Sequence, residues 1–152
     1  MEPMPHRYCA EAEADAEGPV EIRSSGLESL SSAPPAQFGG PGDRWSPETL
    51  LVAAVADCFI LTFRAVARAS RIEWISLRCE GEGELDRVDQ TTRFTRISLG
   101  AHLTLASGQS LEKAERALEK AEQSCLVSRS LACPVALHSH VAVSEPADPA
   151  LS

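Results

Sequence analysis

Residues 46–70 constrain this chain more than any other stretch. They read Ser-Pro-Glu-Thr-Leu-Leu-Val-Ala-Ala-Val-Ala-Asp-Cys-Phe-Ile-Leu-Thr-Phe-Arg-Ala-Val-Ala-Arg-Ala-Ser. Ser46 suits an N-cap, and Pro47 suits the first helical position, where no amide hydrogen is needed. Glu48 sets a negative charge at the positive end of the helix dipole. Leu51, Val55, Cys58, Phe59, Thr62, Phe63 and Val66 then recur at helical spacing. The opposite side is apolar too, through Val52, Ala53, Ala56, Ile60 and Ala67. A helix with almost no polar face before Arg64 is expected to be buried all round. Cys58 sits in its middle. A cysteine in such surroundings is by default a small hydrophobe, so any chemistry there needs a second site.

The helix has the apolar length of a short membrane span, but Glu48, Asp57 and Arg64 interrupt it, and it is read as a core helix. The 152 residues are expected to make one domain, 1–152, with a core of its own. A formal net charge of -8 argues against nucleic acid or an anionic membrane as a partner. Residues 1–7 contain no apolar run, so no secretory signal is expected. Five cysteines, an odd number, fit a reducing cytoplasmic setting better than a disulfide framework.

Around the helix the pattern is mostly strand. Residues 6–14 alternate weakly, Glu17-Gly18-Pro19 makes a turn, and 20–23 and 26–31 complete a small meander. Residues 33–45, with Pro34, Pro35, Gly39, Gly40, Pro41 and Gly42, form a long loop into the helix. Residues 75–85 alternate, with Ile75, Leu77, Cys79 and Leu85 on one side. Gly81 and Gly83 predict a bend or bulge there. Residues 86–92 read as a polar loop. Residues 94–105 follow, with Thr95, Ile97, Leu99, Ala101, Leu103 and Leu105 on one face, giving an antiparallel hairpin with one wet side. Residues 111–126 are an amphipathic helix whose apolar positions are Leu111, Ala114, Leu118, Ala121 and Cys125. Residues 135–143 are a last strand.

Two helices therefore each turn one cysteine inward. If they pack, Cys58 and Cys125 can meet, because a disulfide needs Cα atoms roughly 4.4–6.8 Å apart and packed helices lie about 8–10 Å axis to axis. Two unreactive core cysteines satisfy the same pattern. Cys9, Cys79 and Cys133 read as packing or surface thiols, with Cys133 near enough in sequence to Cys125 to compete for a bridge. His138 and His140 share a face of the last strand, but without metal-ligand spacing, so no metal is expected.

Three segments carry a family resemblance. Ser-Pro-Glu-Thr-Leu-Leu at 46–51 with Ala-Asp-Cys-Phe at 56–59 resembles an Asn-Pro-Glu-x-Leu…Cys-Phe pattern. Phe94-Thr95-Arg96-Ile97 resembles a Phe-Thr-x-Ile strand. Ala-Glu-Gln-Ser-Cys-Leu-Val-Ser at 121–128 resembles an Ala-x-x-x-Cys-Pro-x-Ser segment. In this order and at these separations they resemble the OsmC/Ohr family of thiol-dependent peroxidases, across nearly the whole chain.

That resemblance implies an α+β fold with two antiparallel sheets wrapped around two central helices, assembled as an intertwined homodimer. It implies reduction of organic hydroperoxides with electrons from a small or protein-bound dithiol, and no cofactor. Cys58 takes the place of the peroxidatic thiol, oxidised to a sulfenic acid. Cys125 takes that of the thiol that condenses with it to a disulfide. Glu48 takes the place of the glutamate that orients an arginine beside the thiolate. Ten residues of helix separate Glu48 from Cys58, roughly 15 Å, so Glu48 would serve the thiol of a second chain. Here the sequence departs from the pattern. The family places its arginine either in the first strand turn, here Glu17-Gly18-Pro19, or before a phenylalanine ahead of the helix, here Gln37-Phe38. Arg44 is the nearest substitute, able to pair with Glu48 and meet substrate, with Arg23 second. The missing arginine keeps a second expectation open, a non-catalytic protein that binds a small lipophilic ligand at the dimer interface.

Overall fold

The computed structural model describes residues 1–146. The chain forms two compact units, Met1–Leu51 and a second from Val52 onward.

In the first unit β1 (Glu11–Glu13), β2 (Val20–Arg23) and β3 (Leu30–Ser32) form an antiparallel meander in that order. Ile22 is the hinge of the register, opposite Ala12 on one side and Leu30 on the other. The Gly/Pro loop carries a short 3-10 turn, Ala36–Phe38. It returns to β3, where the Ala33 amide donates to the Trp45 carbonyl at 2.9 Å.

Helix α1 (Pro47–Ala69) begins where the sequence marks it. The buried Ser46 hydroxyl accepts from the Thr49 amide at 3.2 Å, and the Thr49 hydroxyl accepts from the Ser46 amide at 2.9 Å. This reciprocal pair satisfies orphan donors at the helix start, with threonine in the place glutamate usually takes. The other end closes on Arg71, a left-handed residue with φ 55. The amide of Ile72 reaches back to the Ala67 carbonyl at 2.9 Å, and that of Arg71 to Arg68 at 3.2 Å. That is a Schellman closure without glycine.

The second unit is built on β4 (Trp74–Val88), β5 (Thr91–Leu105) and β6 (Val135–Val143), in that spatial order. The hairpin is longer than expected. Its turn is only Asp89–Gln90, both at positive φ (49 and 65), the type that matches strand twist. Residues read as a polar loop are thus paired strand.

The bulges lie elsewhere than Gly81 and Gly83. They fall at Ile75 and Thr95, each the extra residue in a register shift. Ile75 is consequently turned out and 60% exposed, despite its place in the alternation. The two glycines have another reason. A Cβ on Gly81 would stand 2.7 Å from Val52 Cγ1, and one on Gly83 would stand 2.8 Å from Val52 Cγ2. Their bare backbone lets α1 lie against the strand.

Strand β6 pairs parallel to β5, so this sheet is mixed and not wholly antiparallel as expected. The reason is the connection. The chain crosses over through α2 (Leu111–Ser124) and α3 (Leu126–Arg129), and a helical crossover returns a strand in the same direction.

The core lies between the sheet and the helices. Ile97, Leu99, Ala101, Leu103 and Leu105 of β5 are all buried against Val55, Phe59, Phe63 and Ala67 of α1 and Ala114, Leu118 and Ala121 of α2. Phe63 meets Trp74 edge to face at 5.4 Å. The expectation of an all-round buried α1 is corrected here. Only the stripe Val55, Phe59, Phe63 and Ala67 is buried, and 28% of its most apolar 18 residues are. Leu61 is 52% exposed.

Candidate active site

Cys58 lies one position before Phe59 on α1 and is half-buried. Inside a continuous helix the neighbouring amides are spent on the helix itself. Its local polar neighbour is Thr62, one turn on, with Oγ1 3.9 Å from the sulfur. The Thr62 hydroxyl proton is already given to the Cys58 carbonyl at 2.7 Å, so it offers the sulfur little.

Cys125 has a different setting. The amphipathic helix does not run through it, as the periodicity predicts. It stops at Ser124, and Cys125 takes an extended conformation (φ -64, ψ 111) that caps α2 and starts α3. Its side chain is completely buried. Leu126 takes the first position of α3, where the family motif has proline, and is 70% exposed. The break leaves the amides of Val127 and Ser128 without helical acceptors, and both help hold the Cys125 thiol down. The Ser128 hydroxyl is buried without a hydrogen-bond partner among the described residues, and lies near enough to help hold the Cys125 thiol down.

The two thiols are neighbours, close enough for each to shift the other's titration, and both are reduced. Burial pushes the Cys58 thiol up; the Val127 amide opposes this, and Cys125 adds to the rise. Burial would push Cys125 up as well, but the Ser128 hydroxyl, the Ser128 amide, the Cys58 thiol and the Val127 amide together bring it below its ordinary value. A third thiol, Cys79 of β4, is in electrostatic reach. Burial, then Glu80, then Cys125 push it up to about 11, so it stays neutral.

The polar residues expected near the thiols sit in the first unit. Glu48 occupies the first turn of α1, and its Oε2 is buried without a hydrogen-bond partner among the described residues. Arg44 donates to the Ser31 hydroxyl at 3.0 Å and lies 3.8 Å from Asp43. Arg23 is paired with Glu13 at 2.9 Å and Glu11 at 3.4 Å. Within one chain neither arginine pairs with Glu48.

Cys133 lines an open cleft of about 320 Å³ with Ser128, Arg129 and Glu122. Cys9 is exposed. His140 stacks on His102 across the sheet, ring centroids 5.7 Å apart. No cluster of three or more metal-ligating side chains occurs among the described residues. Sequence reasoning missed Ser128 and the Val127 amide. Ser128 closes the second motif, and its signal was there, but nothing in the spacing shows that the helix breaks at Cys125.

Residues 40–139 match the family model for OsmC-like proteins. The chain belongs to that family, and its α+β fold is the family's. Among curated proteins it is 30% identical over 100 residues to the uncharacterized protein YmaD of Bacillus subtilis (strain 168), covering 64% of this chain and 67% of YmaD. An OsmC-like protein of unknown function from Vibrio cholerae superposes with a TM-score of 0.82 at 17% identity, over 90% of this chain and all of that one. The organic hydroperoxide resistance protein OsmC of Legionella pneumophila gives 0.72 at 28% identity, over 93% of this chain and all of its own. An organic hydroperoxide resistance protein of Elizabethkingia anophelis gives 0.72 at 21%, again over 93% and 100%.

Proposed function

We propose that this protein reduces organic hydroperoxides by thiol chemistry. The observation that carries the reading is the proximity of Cys58 and Cys125, a half-buried thiol on α1 and a fully buried one at the end of α2, each of which shifts the other's titration. Cys58 is the half-buried one and meets the peroxide. Its sulfenic acid condenses with Cys125, and a dithiol in a reducing compartment such as the cytoplasm restores both thiols. Apolar walls suit a peroxide with a hydrocarbon tail. The similarity to the Legionella organic hydroperoxide resistance protein points the same way.

The working unit is a homodimer. Helix α1 exposes Leu61 and other apolar residues, and a second copy covers them. Glu48, with an unpartnered carboxylate oxygen, then meets the other chain's polar groups. The experiment mixes the reduced protein with an organic hydroperoxide and titrates thiols. Loss of two thiols per chain, with Cys58 joined to Cys125, is the expected result; unchanged thiols remove the reading.

A second reading has its own support. Arg44 and Arg23 are both engaged elsewhere, which favours a non-catalytic protein holding a small lipophilic ligand at the dimer interface. It predicts inert thiols and a ligand co-purifying with the protein.

A further inference from the structure

We propose that Thr62 is a catalytic residue: its hydroxyl turns from the Cys58 carbonyl to the Cys58 sulfur when that thiol ionises, and holds the thiolate for attack. The inference rests on the hydroperoxide-reducing role of Cys58 and says what serves its sulfur from within its own helix.

The geometry carries it. Thr62 stands one helical turn after Cys58, on the same side of α1. Its Oγ1 lies 2.7 Å from the Cys58 carbonyl oxygen and 3.9 Å from the Cys58 sulfur, in an arrangement that lets either the hydroxyl or the thiol donate to the other. At rest the hydroxyl gives its proton to the carbonyl and offers the neutral thiol only a lone pair. Ionisation reverses that preference. A thiolate accepts and donates nothing, and a charge-assisted hydrogen bond is roughly twice as strong as a neutral one. The carbonyl loses little, because it lies inside α1 and keeps its helical bond from the Thr62 amide. The turn needs rotation about one carbon–oxygen bond and no movement of the backbone.

Threonine is an unfavourable choice for this position on other grounds. It is the one hydroxyl residue between Thr49 and Ser70. A β-branched residue that bonds back to the carbonyl four before it weakens a helix, and alanine or leucine would suit the helix better. Nor does a cation compete for the role. Arg44 is engaged with Ser31, and Arg23 with Glu13. On α1 the charged neighbours in sequence, Asp57 and Arg64, are both exposed. From the break between α2 and α3 the ionisable group facing Cys58 is Cys125, and beyond it β4 brings Cys79, itself beside Glu80.

The step balances. The Cys58 proton passes to water. The sulfur, held by the Thr62 hydroxyl, attacks the terminal peroxide oxygen, so a sulfur–oxygen bond forms as the oxygen–oxygen bond breaks. The alkoxide takes a proton from water and departs as the alcohol, leaving Cys58 as a sulfenic acid. Two electrons pass from sulfur to peroxide, and the hydroxyl returns to the carbonyl.

The test compares Thr62→Val, which keeps the shape and removes the hydroxyl, with Thr62→Ser, which keeps the hydroxyl and removes the methyl. Two rates are followed on the full chain from pH 5 to 10: alkylation of Cys58 by iodoacetamide, located by mass spectrometry, and oxidation of Cys58 by tert-butyl hydroperoxide. In Thr62→Val both rates at pH 7 should fall about three- to tenfold, and the alkylation profile should move to higher pH by about half a unit to one unit. Thr62→Ser should match the parent in both. A packing role predicts the reverse order, with the valine variant like the parent and the serine variant impaired, and that result overturns the proposal. Profiles that move in neither variant overturn it too. A parent Cys58 that is never oxidised by the peroxide refutes the peroxidase role itself, a different failure, read in the second rate alone.

Discussion

Helices α1 and α2 deliver the two cysteines, and they do so by opposite means. Helix α2 is balanced. It buries Ala114, Ala117, Leu118 and Ala121, and its remaining surface is mostly charged or polar. It asks for nothing beyond the protomer. Helix α1 buries a single stripe, Val55, Phe59, Phe63 and Ala67, and leaves other apolar residues uncovered. That uncovered apolar surface is what the proposed homodimer would bury.

The thiols differ in the same sense. Cys58 sits in an unbroken helix with no spare donors, while Cys125 sits at a break that sets two amides free. Where a helix stops therefore decides which sulfur has unspent amides beside it.

The largest effect expected is on Cys58. Cys58→Ser should lower peroxide consumption by about 10³-fold or more, measured as hydroperoxide remaining after mixing. Cys133→Ser should leave it unchanged, because Cys133 lines the open cleft. Next is the uncovered face of α1. Leu61→Lys should weaken self-association by about 10- to 100-fold, read by sedimentation across a dilution series. A variant that associates as tightly as the parent would place the interface elsewhere.

The approach of α1 to β4 can be probed at Gly81. Gly81→Val should destabilise the protein by about 1–3 kcal/mol, and Val52→Ala in the same chain should return part of that loss. Additive effects in urea melts would show that Val52 is not the obstacle. Cys79 provides a pH test. Its folded value of about 11 lies above the ordinary thiol value near 8.5. The folded chain therefore holds this proton longer than the unfolded one. The resulting stability is complete below about pH 8.5 and is lost as pH rises towards about 11, some 1 kcal/mol once partial exposure is allowed for. Cys79→Ala should flatten that decline. The smallest effect expected is at the α2 cap, where the Ser110 hydroxyl accepts from the Lys113 amide at 3.3 Å. Ser110→Ala should cost about 0.5 kcal/mol, and Ser46→Ala, which breaks a reciprocal buried pair, about 1–2 kcal/mol.

Much of this was legible in the residues. Ser46 and Pro47 mark the start of α1, and the alternation of Ile97 to Leu105 marks the buried face of β5, because capping and two-residue periodicity are local properties. The motif residues Cys58 and Cys125 are neighbours in the fold, though Cys125 stands at the break after α2 and not on its inward face. Other features depend on distant chain. Ile75 leaves its face because of a bulge, and Gly81 answers to Val52 rather than to a bend. The direction of β6 is fixed by the crossover. The partial exposure of α1 could not be read at all, since an apolar residue looks the same whether its cover comes from its own chain or another.

The most direct measurement is mass spectrometry of proteolysed protein after one equivalent of organic hydroperoxide. A peptide pair linked through Cys58 and Cys125, in place of the two free thiols, is the result this account predicts. Both thiols still free, or a bond that bypasses either of them, would contradict it.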